Sequence, residues 1–396
     1  MTTMVALHRQ LHLMAVDWLR GMLAPLGPLE LVDANGRRWV AQPVGDGFAY
    51  VCLDASPSEE ATEALRRRPP PLALRVHGYF PTVQPAKYRQ PKPPTARTSG
   101  IAEEPYFLLR RIGQGSYGQV WLARTRRHDF VAVKWAHRGF AIQLAHEAAV
   151  LADVKHGCIV ACKAFLSDAC GGAALVQPLA RTTLREVLAS PVTPRTTLRC
   201  LEALRAGLLA LHAAGYVHLD LSPQNVLLFH DNSVRLADLG TAQREGEELR
   251  DLYVGTRKYR APEILLGARR VQRSMDLWSL GMLALELALR SEQLRGVDSL
   301  QQLVIVLMLL GPPTPAELGA LLPDWVPTAD ASRSPSQDRS CDLLQCCEVV
   351  DSAAFELAAA LLHYAPTARR RGVAEWPKLM RRLRGPPRAP ANRPRS

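Results

Sequence analysis

The chain has no Cys-x-x-Cys pair, no apolar run long enough to cross a bilayer and no internal repeat. Each absence removes a class of protein. The eight cysteines, Cys52, Cys158, Cys162, Cys170, Cys200, Cys341, Cys346 and Cys347, keep no even spacing. That argues against a disulfide-stapled secreted scaffold and for reduced thiols in the cytoplasm or nucleus. A membrane helix needs roughly 20 successive apolar residues, and none occurs. A secretory leader is expected to be absent, because His8, Arg9, His12, Asp17 and Arg20 interrupt the first apolar stretch.

What is present is size and positive charge. With 396 residues, 47% of them hydrophobic, the chain can bury a large core and fits a two-lobed unit with extensions. A net charge of +12 favours acidic partners in general. Much of the arginine excess lies in Arg/Pro-rich stretches, so no specific nucleic-acid contact is predicted from it.

Composition divides the chain into four parts. Residues 1–55 read as an accessory module or as an extension packed on the main domain. Within them Met4, Leu7, Leu11, Met14, Trp18 and Met22 recur at helical spacing, and strands are expected at Leu29–Val32, Arg38–Ala41 and Ala49–Leu53, with a turn at Ala34-Asn35-Gly36. Residues 56–104, with Arg66-Arg67-Arg68-Pro69-Pro70-Pro71 and Gln90-Pro91-Lys92-Pro93-Pro94, read as a basic, Pro-rich linker. Residues 105–384 form the main domain, and 385–396 a basic tail.

The chemistry is concentrated in the main domain. Val217-His218-Leu219-Asp220-Leu221-Ser222-Pro223-Gln224-Asn225 places a carboxylate five residues before an amide, on a loop leading into an apolar strand. Asp220 suits a hydroxyl proton and Asn225 a metal ion. Gly113-Gln114-Gly115-Ser116-Tyr117-Gly118-Gln119-Val120 lies between two expected strands, where small residues let backbone amides close over phosphate oxygens. A dinucleotide-binding turn shares that spacing but requires a helix to follow. Val131-Ala132-Val133-Lys134 comes next, with Glu147 on the following helix as the carboxylate to fix Lys134. Asp238-Leu239-Gly240 follows the expected strand Val234–Leu236. Leu201, Leu204, Leu208 and Leu211 mark one face of a helix ending near Gly215.

In order and spacing these segments resemble the protein-kinase motif set, including H-R-D-L-x-x-x-N, D-F-G and, at Ala261-Pro262-Glu263, A-P-E. Asp276-Leu277-Trp278-Ser279-Leu280-Gly281 matches the kinase helix that anchors the catalytic loop, and Arg369 stands where kinases place the partner of the A-P-E glutamate. The resemblance implies an α+β bilobal fold, with a small β-rich lobe over 105–179 and a large helical lobe over 180–384. It implies ATP and Mg²⁺ as ligands and protein hydroxyls as acceptors. Asp220 would orient the hydroxyl, Asn225 and Asp238 would hold the metal, and Lys134, paired with Glu147, would hold the α- and β-phosphates. Ile112, Gly113, Gln114, Gly115, Ser116, Tyr117, Gly118, Val120 and Ala132 would enclose the nucleotide. Gln177 would stand at the back of the base pocket, and Leu179 would offer backbone groups to adenine.

Tyr253-Val254-Gly255-Thr256-Arg257-Lys258-Tyr259-Arg260-Ala261-Pro262-Glu263 and Leu309-Leu310-Gly311-Pro312-Pro313 are similar to the CMGC group, the serine/threonine kinases that include cyclin-dependent and mitogen-activated kinases. In proline-directed members the residue at Gly255 is left-handed, and Arg257 is expected to satisfy its carbonyl. No PSTAIRE helix is present, so cyclin dependence is unsupported. Leu219 replaces the usual arginine, and Ser222 the lysine near the γ-phosphate. The alternative reading is therefore a pseudokinase, a nucleotide-binding scaffold. Tyr253 and Asp251 align with the phosphorylated positions of mitogen-activated kinases.

Overall fold

The computed structural model describes residues 106–384 apart from 116–117, 137–139, 168–171, 191, 252, 290–293, 297 and 323–348, with side chains described up to 381, residue 300 excepted. Before residue 106 it describes the backbone of four strands, β1 (Glu30–Val32), β2 (Arg38–Val44), β3 (Gly47–Cys52) and β4 (Ala73–Arg75), in the sheet order β3-β2-β1-β4. The first three lie close to the expected strands. β4 falls in the stretch read as linker and pairs with β1, Glu30 against Arg75. The expected helix over Met4–Met22, the turn at 34–36, both Pro-rich runs and the tail from 385 lie outside the described residues.

The small lobe is a five-stranded antiparallel sheet, β5 (Phe107–Gly115), β6 (Gly118–Arg124), β7 (Phe130–Ala136), β8 (Ala164–Ser167) and β9 (Ala173–Pro178), in the order β5-β6-β7-β9-β8. Alternation along β7 sends Val131 and Val133 into the core and leaves Ala132 and Lys134 on the opposite face. Helix α1 (Ala141–Asp153) buries Leu144, Glu147, Val150 and Leu151, a stripe at three- and four-residue steps with a carboxylate in it.

The large lobe begins with β10 (Thr182–Thr183) and the short α2 (Leu184–Val187), then α3 (Pro194–Ala213). Thr193 caps α3 by accepting from the Thr196 N–H, Pro194 sits in its first turn, and Gly215 ends it at φ +83°. Leu201, Leu204, Leu208 and Leu211 are all fully buried on one face, as expected. Strands β11 (Tyr216–Val217), β12 (Val226–Leu228), β13 (Val234–Leu236) and β14 (Gln243–Arg244) make two small sheets, β10-β12-β13 and β11-β14, that frame the catalytic loop. The remaining helices are α4 (Pro262–Leu265), α5 (Ser274–Leu289), α6 (Ser299–Leu310), α7 (Pro315–Leu321), α8 (Ser352–Leu361) and α9 (Pro366–Arg384). Every residue of α5 is buried, which fits its almost continuous apolar sequence.

One buried ion pair joins the two ends of this lobe. Arg369 in α9 donates to both Glu263 oxygens (2.7 and 2.9 Å) and to the carbonyls of Ser274, His363 and Tyr364. Those contacts use all five guanidinium N–H groups, and both partners are fully buried. Removing one partner leaves an uncompensated buried charge, which costs about 3–5 kcal/mol. Arg369→Ala is therefore expected to lower the unfolding free energy of the large lobe, extrapolated from urea titration, by that amount. A loss under about 1 kcal/mol, the value of a surface pair, would show that the pair does not hold the lobe together.

Candidate active site

The site is built from the floor upward. Asp276, in the first turn of α5, is fully buried and its carboxylate accepts from three donors: the His218 N–H (2.8 Å), the Leu219 N–H (2.9 Å) and His212 Nε2 (2.7 Å). Burial works against its charge, but His212 and the loop N–H groups outweigh it and hold its pKa below the ordinary aspartate range. The ring of His218 then accepts the Asp220 N–H on Nδ1 (3.1 Å) and donates from Nε2 to the Ala237 carbonyl (3.1 Å), which selects the Nε2-protonated tautomer. A single carboxylate thereby positions the loop, and a single imidazole joins the loop to the residue before Asp238.

Asp220 is fixed at both oxygens. Oδ1 accepts from the N–H and the hydroxyl of Thr256 (2.7 and 2.8 Å), and Oδ2 from Asn225 Nδ2 (3.0 Å). Burial raises the Asp220 pKa against the pull of the Thr256 hydrogen bonds. A carboxylate with its basicity raised suits proton acceptance. Asn225 Nδ2 also donates to the Asp220 carbonyl (2.9 Å), which turns its amide oxygen away from Asp220.

Across the cleft, Lys134 Nζ lies 2.7 Å from both Glu147 Oε2 and Asp238 Oδ1. Burial opposes the Lys134 ammonium, but the two carboxylates more than offset it and raise its pKa. Burial pushes Glu147 up against the pull of Lys134, whereas for Asp238 the lysine overcomes burial and the pKa falls. Asp238 sits deep in the domain yet keeps 38% side-chain exposure, because it faces open space. Its backbone is left-handed (φ +61°), uncommon for a residue with a side chain.

These residues suit a metal–polyphosphate ligand. Among the described residues no group of three or more His, Cys, Asp or Glu could by itself hold a metal ion. Asp238 and Asn225 instead offer hard oxygen donors, an incomplete shell of the kind Mg²⁺ completes with phosphate oxygens and water. Above them, β5 and β6 pair as far as Gly115↔Gly118. A Cβ on Gly118 would lie 2.0 Å from the Trp135 carbonyl, so only glycine allows β6 to approach β7 there. Val120, Lys134 and Leu175 lie in one cross-strand row, and Ala132 faces Gln177 in the next. Among the described residues, the N–H groups of Leu179 and Ala180 take no backbone partner. Ile112, Gly113 and Gln114 lie in β5, and Gln114 accepts from Arg111 (3.0 Å). Ser116 and Tyr117 fall outside the described residues.

Comparison with known proteins agrees with this arrangement. Residues 106–371 match the protein kinase domain family model. The chain belongs to the protein kinase family. It is 33% identical over 235 residues to cyclin-dependent kinase 20 of Homo sapiens, covering 56% of this chain and 68% of that protein. It is 34% identical over 229 residues to mitogen-activated protein kinase spk1 of Schizosaccharomyces pombe, covering 53% and 61%. It is 32% identical over 229 residues to mitogen-activated protein kinase 6 of Oryza sativa subsp. japonica, covering 54% and 61%. These are kinases of the CMGC group, as the motifs implied, and the chain spans about three-fifths to two-thirds of their length.

Within this kinase domain one expectation needs correction. Gly255 is left-handed (φ +78°), but the guanidinium at its carbonyl belongs to Arg260, not Arg257. Arg260 Nε lies 2.9 Å from the Gly255 oxygen and 3.0 Å from that of Val254, and its Nη2 reaches the Tyr253 carbonyl. Arg257 donates to the Gly296 carbonyl instead (3.3 Å). Arg257 lies in a 3-10 turn and Arg260 just past it in extended backbone, so the two side chains leave in different directions. Burial and the adjacent Arg257 lower the Arg260 pKa to about 10.

The sequence reading passed over His212, Thr256 and His146. Thr256 carried a signal, since it stands in the T-R-x-Y-R-A-P-E run. His212 carried none beyond its place in the last turn of α3. Replacing Asp276 tests the floor of the site. Its folded pKa is lowered, so its ionised form adds stability that is complete above the ordinary aspartate value of about 3.9 and is lost as pH falls through the folded value. Asp276→Asn is expected to cost roughly 1–3 kcal/mol at pH 7, for a buried donor left unmet, and to flatten the acid limb of stability below about pH 4. Urea titrations at both pH values check this. An unchanged acid limb would mean that another carboxylate controls it.

Proposed function

We propose that the domain is an active serine/threonine kinase that transfers the ATP γ-phosphoryl group to protein hydroxyls. The observation that carries this reading is the closed state of both halves of the site. Lys134 is paired with Glu147, and Asp220 is fixed at both oxygens by Thr256 and Asn225. Bound Mg²⁺·ATP would supply the electrophilic phosphorus and the charge neutralisation of the leaving group. The chain supplies positioning. Asp220 accepts the hydroxyl proton and aims the oxygen, Lys134 presents a cation to the phosphates, and Asp238 with Asn225 offers oxygens to the metal. The names of the relatives support the serine/threonine assignment.

The second reading, a nucleotide-binding scaffold, has one observation in its favour. Ser222, where kinases carry a lysine, is fully buried, and its hydroxyl has no partner among the described residues. It brings no cation to the γ-phosphate. The five groups with the least replaceable roles, Lys134, Glu147, Asp220, Asn225 and Asp238, are nonetheless all present, and the first reading is preferred.

Gly255 supports proline direction. With its carbonyl held by Arg260, it offers no acceptor to the N–H of the substrate residue after the acceptor hydroxyl. A residue lacking that N–H leaves nothing unpaired, and proline is that residue.

Transfer from Mg²⁺·ATP to a generic basic protein tests the main reading. Asp220→Asn is expected to lower turnover by about 10²–10⁴, the range for losing a general base, with nucleotide binding nearly intact. Asp238→Asn is expected to abolish transfer and weaken Mg²⁺-dependent nucleotide binding. Wild-type turnover in both variants would reject the assignment. In a peptide library, replacing proline after the acceptor by alanine is expected to lower kcat/KM about tenfold, equivalent to 1.4 kcal/mol. An indifferent enzyme would reject proline direction.

A further inference from the structure

We propose that the segment from Asp238 to Glu263 is organised without a phosphate, and that His146 is the positioning residue that couples it to helix α1. The consequence for turnover rests on the kinase reading above; the ordering of the segment does not.

His146 Nε2 lies 2.6 Å from the carbonyl of Ala242. Its neighbour in α1, Glu147, holds Lys134. One turn of α1 therefore grips the nucleotide-side lysine with one residue and the segment with the next. The acceptor on the segment is a main-chain oxygen, present in every state of modification. Ala242 is itself fully buried, and its N–H closes a turn onto Leu239 (3.1 Å), directly after Asp238. The far end of α1 makes a second tie. Tyr216 donates to Asp153 (2.7 Å), and Arg244 of β14 donates to the Tyr216 hydroxyl (2.9 Å), stacks on its ring (4.1 Å) and lies 3.6 Å from Asp153.

The outer part of the segment is held by backbone. Gly246 N–H bonds the Val271 carbonyl (2.8 Å), Val271 N–H that of Glu247 (2.9 Å) and Leu249 N–H that of Arg269 (2.7 Å). Glu245 pairs with Arg273 alongside. None of these contacts requires an added charge.

The groups that would receive a phosphate are absent or committed. Leu219, at the usual arginine position, belongs to the main apolar core and is 5% exposed. The segment contains four hydroxyl side chains, Thr241, Tyr253, Thr256 and Tyr259. Thr241 donates to the His218 carbonyl (2.9 Å), Thr256 to Asp220 and the buried Tyr259 to Glu286. Tyr253 is the fourth, with the Arg260 guanidinium 5.9 Å from its ring, and the arginines around it already have partners. Arg260 serves three carbonyls, Arg257 serves Gly296 and Arg250 lies 3.5 Å from Glu247. Asp251, which aligns with a phosphorylated position, accepts the Tyr253 N–H (2.7 Å) and so caps its own turn.

The test is hydrogen exchange on the full chain, phosphatase-treated and shown to be phosphate-free by intact mass, beside a sample phosphorylated on Tyr253 by an added tyrosine kinase. The expected result is equal protection of residues 242–256 in both samples. His146→Ala should speed exchange in both 141–153 and 239–246 by about five- to tenfold, the size of one hydrogen bond lost from a local opening. His146→Gln, which keeps a donor at similar reach, should restore most of the protection and most of any lost kcat at unchanged peptide KM. The proposal is overturned if 242–256 exchanges freely until Tyr253 carries phosphate. It is equally overturned if His146→Ala leaves both regions as they were, or if the glutamine variant behaves like alanine. A protected, His146-dependent segment with no phosphoryl transfer would uphold the proposal and reject the kinase reading, so the two failures are distinguishable.

Discussion

A carboxylate withdrawn from water must be met by donors or give up its charge. Asp276 is such a group, and the donors it recruits are the main-chain N–H groups of His218 and Leu219 and the ring of His212. Because two of the three belong to the loop carrying Asp220, the solvation demand of one buried charge fixes where that loop runs. The constraint continues outward. The His218 ring spans from the Asp220 N–H to the Ala237 carbonyl, so the loop and the exit of β13 cannot move independently. Asp220 and Asp238 come from separate elements, yet both are referred to the first turn of α5.

That reference point is rigid because of what surrounds it. All of α5 is buried, and its second acid, Glu286, is met by Lys258 (2.9 Å) and the Tyr259 hydroxyl. The carboxylates buried in the large lobe at Asp276 and Glu286 are thus paired and dry, as is Glu263 with Arg369. The Lys134–Glu147–Asp238 cluster is different in kind. Lys134 keeps 19% exposure and Asp238 38%, and one lysine is shared by two acids. Structural pairs of the first sort give a fixed frame, since breaking one strands a charge. A shared, half-open cluster can exchange its partners when a polyanion enters.

The sequence is legible where chemistry forces spacing. The Gly-rich turn, Lys134, the Asp220–Asn225 interval and Asp238 each carry a residue type with few substitutes, and the strands and helices around them follow from alternation and from the leucine stripe of α3. Partners chosen across the fold were harder to read. Arg257 and Arg260 are equivalent in composition and three residues apart. Only the 3-10 turn at Arg257–Tyr259 decides which one reaches Gly255. His212 and His146 are single histidines on helices, without a motif, and their roles depend on carboxylate or carbonyl groups far off in the chain. The strand Ala73–Arg75 was hidden because three residues in a Pro- and Arg-rich region carry no periodicity to detect.

The departure at Leu219 and the left-handed Gly255 belong to one piece of packing. Leu219 is left-handed (φ +67°), a state costing a side-chain-bearing residue about 1–2 kcal/mol. Its N–H is held by Asp276, and its carbonyl projects toward the segment, where a Cβ on residue 255 would come within 2.2 Å of it. Glycine at 255 is therefore required twice, by its own φ of +78° and by the approach of the Leu219 oxygen. Where an arginine would hold the segment through charge, this chain brings the two backbones into contact and buries the leucine side chain in the core. Contact of that kind does not depend on salt or on modification, because it is set by excluded volume and by apolar surface removed from water.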